Sequence, residues 1–265
     1  MGFDGEMGRF FLICCMALAL AGCSKRTAAP EERRIASLST AAAVILNKLG
    51  TPPVAVDQYC AVAAPSTPVI GKGTAISVEK LLELKINTLI LWSYQKNALE
   101  YLTRYGIELV AVDPCRAANF PELIEKLGAL TGKREKCAGI ISEYKKSFEG
   151  ITSLTGTKKR VYLELYTRNR GAGDESYMGD LLRAAGAKSI LKKSALTGTE
   201  YIVKQDPEVI FFVENFGSKD EIMKRSGFAA VEAVKRKAVY PVPRELLIEG
   251  ASLREAVEYL RKRID

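Results

Sequence analysis

The sequence predicts an α/β protein of two similar lobes with open, parallel-rich sheets, joined by one long helix. Three observations carry this expectation. In the stretch Lys133 to Gly156, Ala138, Ile141, Tyr144, Phe148 and Ile151 recur at steps of three or four among Lys and Glu, the spacing of one amphipathic helix that ends at a Gly-bearing turn. On either side lies the same short layout: EKLLELKINTLILW from Glu79 to Trp92, and EYIVKQDPEVIFF from Glu200 to Phe212, each a helix opened by a Glu and followed by an apolar strand. Strands and helices alternate with short connections throughout, which is the pattern of a parallel sheet. The lobes are expected to be held apart by the helix, as by a stiff strut.

Taken in order, Arg34 to Ser39 reads as a strand, with Thr40 capping a helix from Ala41 to Leu49 that stops at Gly50. Val54 to Asp57 is the next strand, followed by an irregular loop carrying Tyr59 and Cys60. Ser77 caps the Glu79 helix, Thr88 to Trp92 is a buried strand, Ala98 to Tyr105 a helix ended by Gly106, and Glu108 to Val112 a strand running into Asp113, Pro114 and Cys115. The second half reads as a strand from Arg160 to Tyr166, helices from Tyr177 to Ala185 and at Glu200, strands Val209 to Val213 and Val239 to Val242, and a closing helix from Leu253 to Arg263. The expected divisions are residues 1–22, 23–33, 34–131, 132–157 and 158–265.

A chain of 265 residues, 48% hydrophobic and 26% charged, can bury one large core or two modest ones, which argues against disorder. The formal net charge of +8 is dispersed, with no basic block long enough for a nucleic-acid arm, so it reads as a solvated surface facing an anionic membrane or anionic ligands. The chain has no histidine, which excludes His-based triads, His-rich zinc sites and His-ligated haem. Neither G-x-S-x-G nor a paired-carboxylate motif appears, so an enzyme is not expected.

Phe10 to Ala21 is apolar but too short to span a bilayer comfortably, and reads as a secretory signal. Its end, Leu20-Ala-Gly-Cys23, resembles the lipobox of bacterial lipoproteins, which makes Cys23 the expected acylated N-terminus of a tether over residues 23–33. Asp4 and Glu6 are out of place in the basic n-region of a signal, and translation from Met7 would remove them. The cysteines left after processing are Cys60, Cys115 and Cys137. The first two follow neighbouring strands, so a disulfide between them is one reading and a soft-metal thiolate site another, while Cys137 on the long helix reads as packing.

In open α/β sheets, ligands bind beyond the carboxyl ends of the strands. The candidates are Tyr59 and Cys60, Trp92 to Tyr94, Cys115 and Arg116, Tyr166 to Arg170, Glu214 to Phe216, and Arg244. A single aromatic at a strand end is more often packing; several converging there point to a flat or bulky ligand. Arg168, Arg170 and Arg244 offer planar forks that suit the carboxylates of a ferric chelate, with loop surface charge as the competing reading.

The lipobox, the Arg34-Ile-Ala-Ser-Leu-Ser opening, the two Glu-led units and the Ala238-Val-Tyr-Pro-Val-Pro243 end together resemble the periplasmic binding proteins that feed ABC importers for ferric siderophores, haem and cobalamin. The resemblance runs from Cys23 to the C-terminus. It implies two Rossmann-like lobes with a ligand cleft between them, little hinge motion, and a receptor held by its lipid at the outer face of a membrane. The implied partners are a permease dimer with its ATPase and a small metal chelate, preferably a ferric siderophore, with cobalamin or haem as the alternative. A lipoprotein that senses ligand without transport is the alternative of another class. The receptor is expected to be monomeric, with no nucleic acid, resident metal or catalytic residue. Tyr59, Trp92 and Tyr166 fall where that family places ligand-contacting aromatics, with Tyr94 beside them. Glu79 and Glu200 fall where its glutamates meet arginines of the two permease subunits.

Overall fold

The computed structural model describes residues 32–152 and 159–265, with side chains outside 147–152. The expected signal segment, Cys23 and the turn at Gly156 lie outside the described residues, as do the side chains of Phe148 and Ile151. Strand β1 (Ile35–Ser37) leads into helix α1 (Thr40–Leu49), which ends at Gly50. The cap is Ser39 rather than the expected Thr40: the Ser39 hydroxyl accepts from the Ala42 N–H, and this leaves the Thr40 side chain free to reach elsewhere. After β2 (Ala55–Val56), a small antiparallel hairpin of β3 (Gly71–Lys72) and β4 (Ala75–Ile76) precedes α2 (Val78–Glu83), capped by Ser77 as its sequence predicts. Then follow β5 (Thr88–Trp92), α3 (Lys96–Leu99), which tightens into a 3₁₀ turn over Glu100–Tyr105, and β6 (Glu108–Val112). These strands form a sheet in the order β2-β1-β5-β6, parallel throughout, with Ala36 beside Leu89 and Leu89 beside Leu109.

Helix α4 (Phe120–Thr131), not anticipated above, buries Phe120, Leu123, Ile124 and Leu127 and runs straight into the long helix α5 (Arg134–Thr152). The second half comprises β7 (Lys159–Glu164), β8 (Arg170–Gly171), α6 (Tyr177–Ala184), β9 (Ala187–Ser189), β10 (Ala195–Leu196), α7 (Thr199–Gln205), β11 (Val209–Val213), α8 (Lys219–Met223), α9 (Glu232–Lys235), β12 (Val239–Val242) and α10 (Leu253–Ile264). Its sheet runs β10-β8-β7-β11-β12 with β9 also on β7; β8 and β10 are antiparallel and the rest parallel. Strand β7 ends two residues before the expected Tyr166. There the chain folds back, Leu165 N–H donating to the Arg170 carbonyl, with Asn169 in the left-handed region at φ 61°.

Every residue of β11 is buried, and so are the first four of β5, as sheets covered on both faces require. Each sheet has its own apolar layer on one face, built on Leu89, Leu91 and Leu102 in the first and on Tyr162, Ile210 and Phe228 in the second. The other two faces share one core. Ile45 and Leu46 of α1, Leu127 of α4, Cys137 and Tyr144 of α5, Leu181 of α6 and Val257 and Leu260 of α10 belong to the same buried cluster. The long helix therefore does not hold two separate bodies apart. It packs on α1 and α4 to one side and on α6 and α10 to the other, with Cys137 and Tyr144 inward and Ala138 exposed. Gly128 allows this approach, since a Cβ there would stand 2.0 Å from the Cys137 sulfur.

Candidate ligand cleft

The carboxyl ends of both sheets open onto a cleft of about 900 Å³. On the first sheet's side, Asp57, only 1% exposed, accepts from the N–H groups of Cys60 (2.8 Å) and Gly73 (3.1 Å). This pins the loop after β2 and presents the half-exposed ring of Tyr59. At the end of β5 the Trp92 N–H donates to the Gln95 side chain at 3.0 Å, and the Trp92 and Tyr94 rings lie nearly parallel, 9° apart in plane with centroids at 6.5 Å. Tyr94 is 71% exposed and faces the opening.

From the second sheet come Tyr166 after β7, Phe216 after β11 and Arg244 after β12. Tyr166 and Phe216 meet edge to face at 5.0 Å, and the Arg244 guanidinium lies 5.3 Å from the Tyr166 ring and 6.0 Å from that of Phe216. Arg244 also crosses the cleft, its Nη2 donating to the Tyr59 carbonyl at 2.7 Å. A second bridge runs from the Thr40 hydroxyl to Glu249 Oε2 at 2.7 Å. A third joins Arg116, after β6, to Asp180 of α6: the guanidinium donates at 2.8 and 3.1 Å and the Ala117 N–H at 2.7 Å.

Of the residues singled out in the sequence, Tyr59, Trp92, Tyr94, Tyr166 and Arg244 line the cleft together. Arg168 and Arg170 do not. Arg168 is 63% exposed and pairs with Glu221 at 3.7 Å. Arg170 is exposed on β8; burial first, then Asp57, Glu249 and Cys60, push the Tyr94 phenol up, and the charge of Arg170 counters part of that rise. Glu79 and Glu200 are exposed in the first turns of α2 and α7. Cys60 and Cys115 both line the cleft as free thiols, with no disulfide between them, and burial pushes both thiols up, away from the thiolate a soft metal would need. Cys137 is buried and free. The described residues hold no group of three Cys, Asp or Glu side chains placed for a metal ion.

Two groups went unread in the sequence. Glu249 lines the cleft from the segment before α10, beyond any strand end that periodicity marks. Glu164, at the end of β7 and buried, takes two hydrogen bonds from Arg225 at 2.6 and 2.7 Å, one from the Tyr162 hydroxyl and one from the Asn169 N–H. It thereby holds the turn that carries Arg168 to Arg170.

Two α/β sheets that share a helical core and turn aromatic strand ends toward one cleft make up the architecture of a two-lobed binding protein. The chain belongs to the periplasmic binding protein family, whose model matches residues 35–246. Among solved structures, it is similar to the periplasmic heme-binding protein BhuT in complex with two hemes, at 19% identity over 88% of this chain and 97% of that one, with a TM-score of 0.76. The vitamin B12-binding protein BtuF of Vibrio cholerae matches at 20% identity over 88% and 96%, with a TM-score of 0.72. The heme-binding protein HutB of the same organism matches at 18% over 88% and 99%, with a TM-score of 0.71. At these identities the likeness is one of fold. No curated protein sequence matches the chain.

Proposed function

We propose that this protein is the solute receptor of an ABC importer and that its cargo is a bulky metal chelate. The observation that carries the reading is the aromatic cleft, in which Tyr59, Trp92 and Tyr94 face Tyr166 across one cavity of about 900 Å³. Stacked rings suit the face of a flat chelate, and similar folds that bind heme and vitamin B12 support that class. A ferric siderophore is favoured by Arg168, Arg170 and Arg244, and of these Arg244 alone lines the cleft, its guanidinium set against the Tyr166 and Phe216 rings. The walls therefore favour a flat, corrinoid-like ligand over a carboxylate-rich chelate. The receptor acts as a monomer without catalysis and meets its permease through Glu79 and Glu200.

Lipid attachment at Cys23 belongs to the same reading and places the receptor at the outer face of the membrane. Its support is the Leu20-Ala-Gly-Cys23 sequence after an apolar run. Cys23→Ser is expected to move the protein from the membrane to the soluble fraction; a variant that still fractionates with membrane and carries lipid contradicts the anchor. The cargo is tested by native mass spectrometry of the protein purified from its own envelope. An adduct with the mass and isotope pattern of a metal chelate is expected, and a metal-free solute in its place overturns the reading.

A further inference from the structure

Within the cleft Arg116 is paired with a carboxylate, while among the described residues neither Arg244, whose Nε is buried without a hydrogen bond, nor Glu249 has an ion-pair partner. Arg116 is held by Asp180, and Arg244 lies against two rings with its Nη2 on the Tyr59 carbonyl. Glu249 has neither arrangement. Its Oε2 accepts from the Thr40 hydroxyl at 2.7 Å, and among the described residues no ion pair reaches it. The groups on which its charge acts are neutral, the thiols of Cys60 and Cys115 and the phenols of Tyr94, Tyr166 and Tyr177; Arg116, Lys193 and Arg244 also line the cavity, but none is among the groups that shift Glu249. Asp57, also in the wall, is satisfied by two backbone N–H groups and adds no positive charge. Glu249 is half-buried, and desolvation without an ion-pair partner is unfavourable for an ionised carboxyl and pushes it upward. A ligand that supplies the missing charge removes that cost; a ligand that places a carboxylate there adds to it.

We propose that Glu249 is a specificity-determining residue of the cleft. Its carboxyl receives a positively charged or N–H-donating group of the bound chelate, so that such chelates are taken in preference to those presenting a carboxylate. This rests on the chelate-receptor reading above and adds the charge of the cargo. Thr40 is its positioning residue, since its hydroxyl orients the carboxyl and favours the ionised form.

The test is calorimetric titration of the wild-type chain, Glu249→Gln and Thr40→Val with three probes: ferrioxamine B, which carries an ammonium, cyanocobalamin, which carries carboxamides, and haemin, which carries two carboxylates. The wild type is expected to prefer the first two over haemin. Glu249→Gln, close in size and shape, is expected to narrow that preference by about tenfold, chiefly by loosening ferrioxamine B and tightening haemin. Thr40→Val, which keeps the carboxyl, is expected to shift it the same way by less. Probes that bind with a preference unchanged in both variants overturn this inference alone. Failure of the wild type to bind any of the three overturns the chelate reading and this inference with it.

Discussion

Glu249 also gives the fold a pH dependence whose sign follows from its surroundings. Burial raises its folded-state pKa above the unfolded value, and hydrogen bonds from the Thr40 hydroxyl and its own backbone N–H offset only part of that rise. The group's contribution is therefore fully present below the ordinary carboxyl range and is lost as pH rises through the folded value. Melting temperatures of the wild type and Glu249→Gln, measured from about pH 4 to about pH 8, are expected to show the wild type losing ground to the variant as pH increases. A constant difference over that range, or one that grows in the wild type's favour, contradicts the assignment of Glu249 as a half-buried carboxyl without an ion-pair partner.

Among the elements, the turn between β7 and β8 depends on one buried network. Arg225 neutralises Glu164 with two hydrogen bonds and also binds Glu221, whose carboxyl it draws below the usual carboxylate range. Removing the cation leaves Glu164 buried and unpaired, so Arg225→Met is expected to cost about 3–5 kcal/mol in denaturant unfolding. A loss below about 1 kcal/mol, the size of an exposed pair, contradicts that role. The network illustrates what a sequence does and does not display. The strands Thr88–Trp92 and Val209–Val213 were legible because buried parallel strands are continuous apolar runs, and Tyr59, Trp92 and Tyr166 were legible as residues at or just past strand ends. Two-residue strands such as β8 and β10 have no periodicity to read. Glu164 looks like a polar residue at a strand end, and its partner lies 61 positions away. Glu249 has no local signal, since its meaning comes from Thr40, 209 positions earlier. Helix α4 is a different case: Phe120, Leu123, Ile124 and Leu127 carry helical spacing, which the adjoining long helix overshadowed.

For the whole molecule, one core runs from α1 and α4 through α5 to α6 and α10, and three polar bridges cross the cleft at Arg116, Thr40 and Arg244. Such a body suits rigid presentation of a loaded cleft to a partner. Glu79 and Glu200, exposed in the first turns of α2 and α7, are the proposed anchors, one for each half of a two-fold permease. A carboxylate in a first helical turn is worth no more than about 1 kcal/mol, so Glu79→Ala with Glu200→Ala is expected to leave the melting temperature and ligand affinity nearly unchanged while abolishing uptake and stimulation of the importer ATPase. Normal transport by the double variant, or loss of ligand binding instead, contradicts the docking role. The central claim, that a metal chelate lies against the aromatic wall of the cleft, is tested most directly through Trp92, the chain's single tryptophan. In a fluorescence titration with haemin, cyanocobalamin and a ferric siderophore, at least one is expected to quench Trp92 saturably at one equivalent, and that chelate is expected to bind Tyr59→Ala and Tyr166→Ala about 1–3 kcal/mol more weakly. Saturable quenching by a metal-free solute, with none by any of the three chelates, would contradict it.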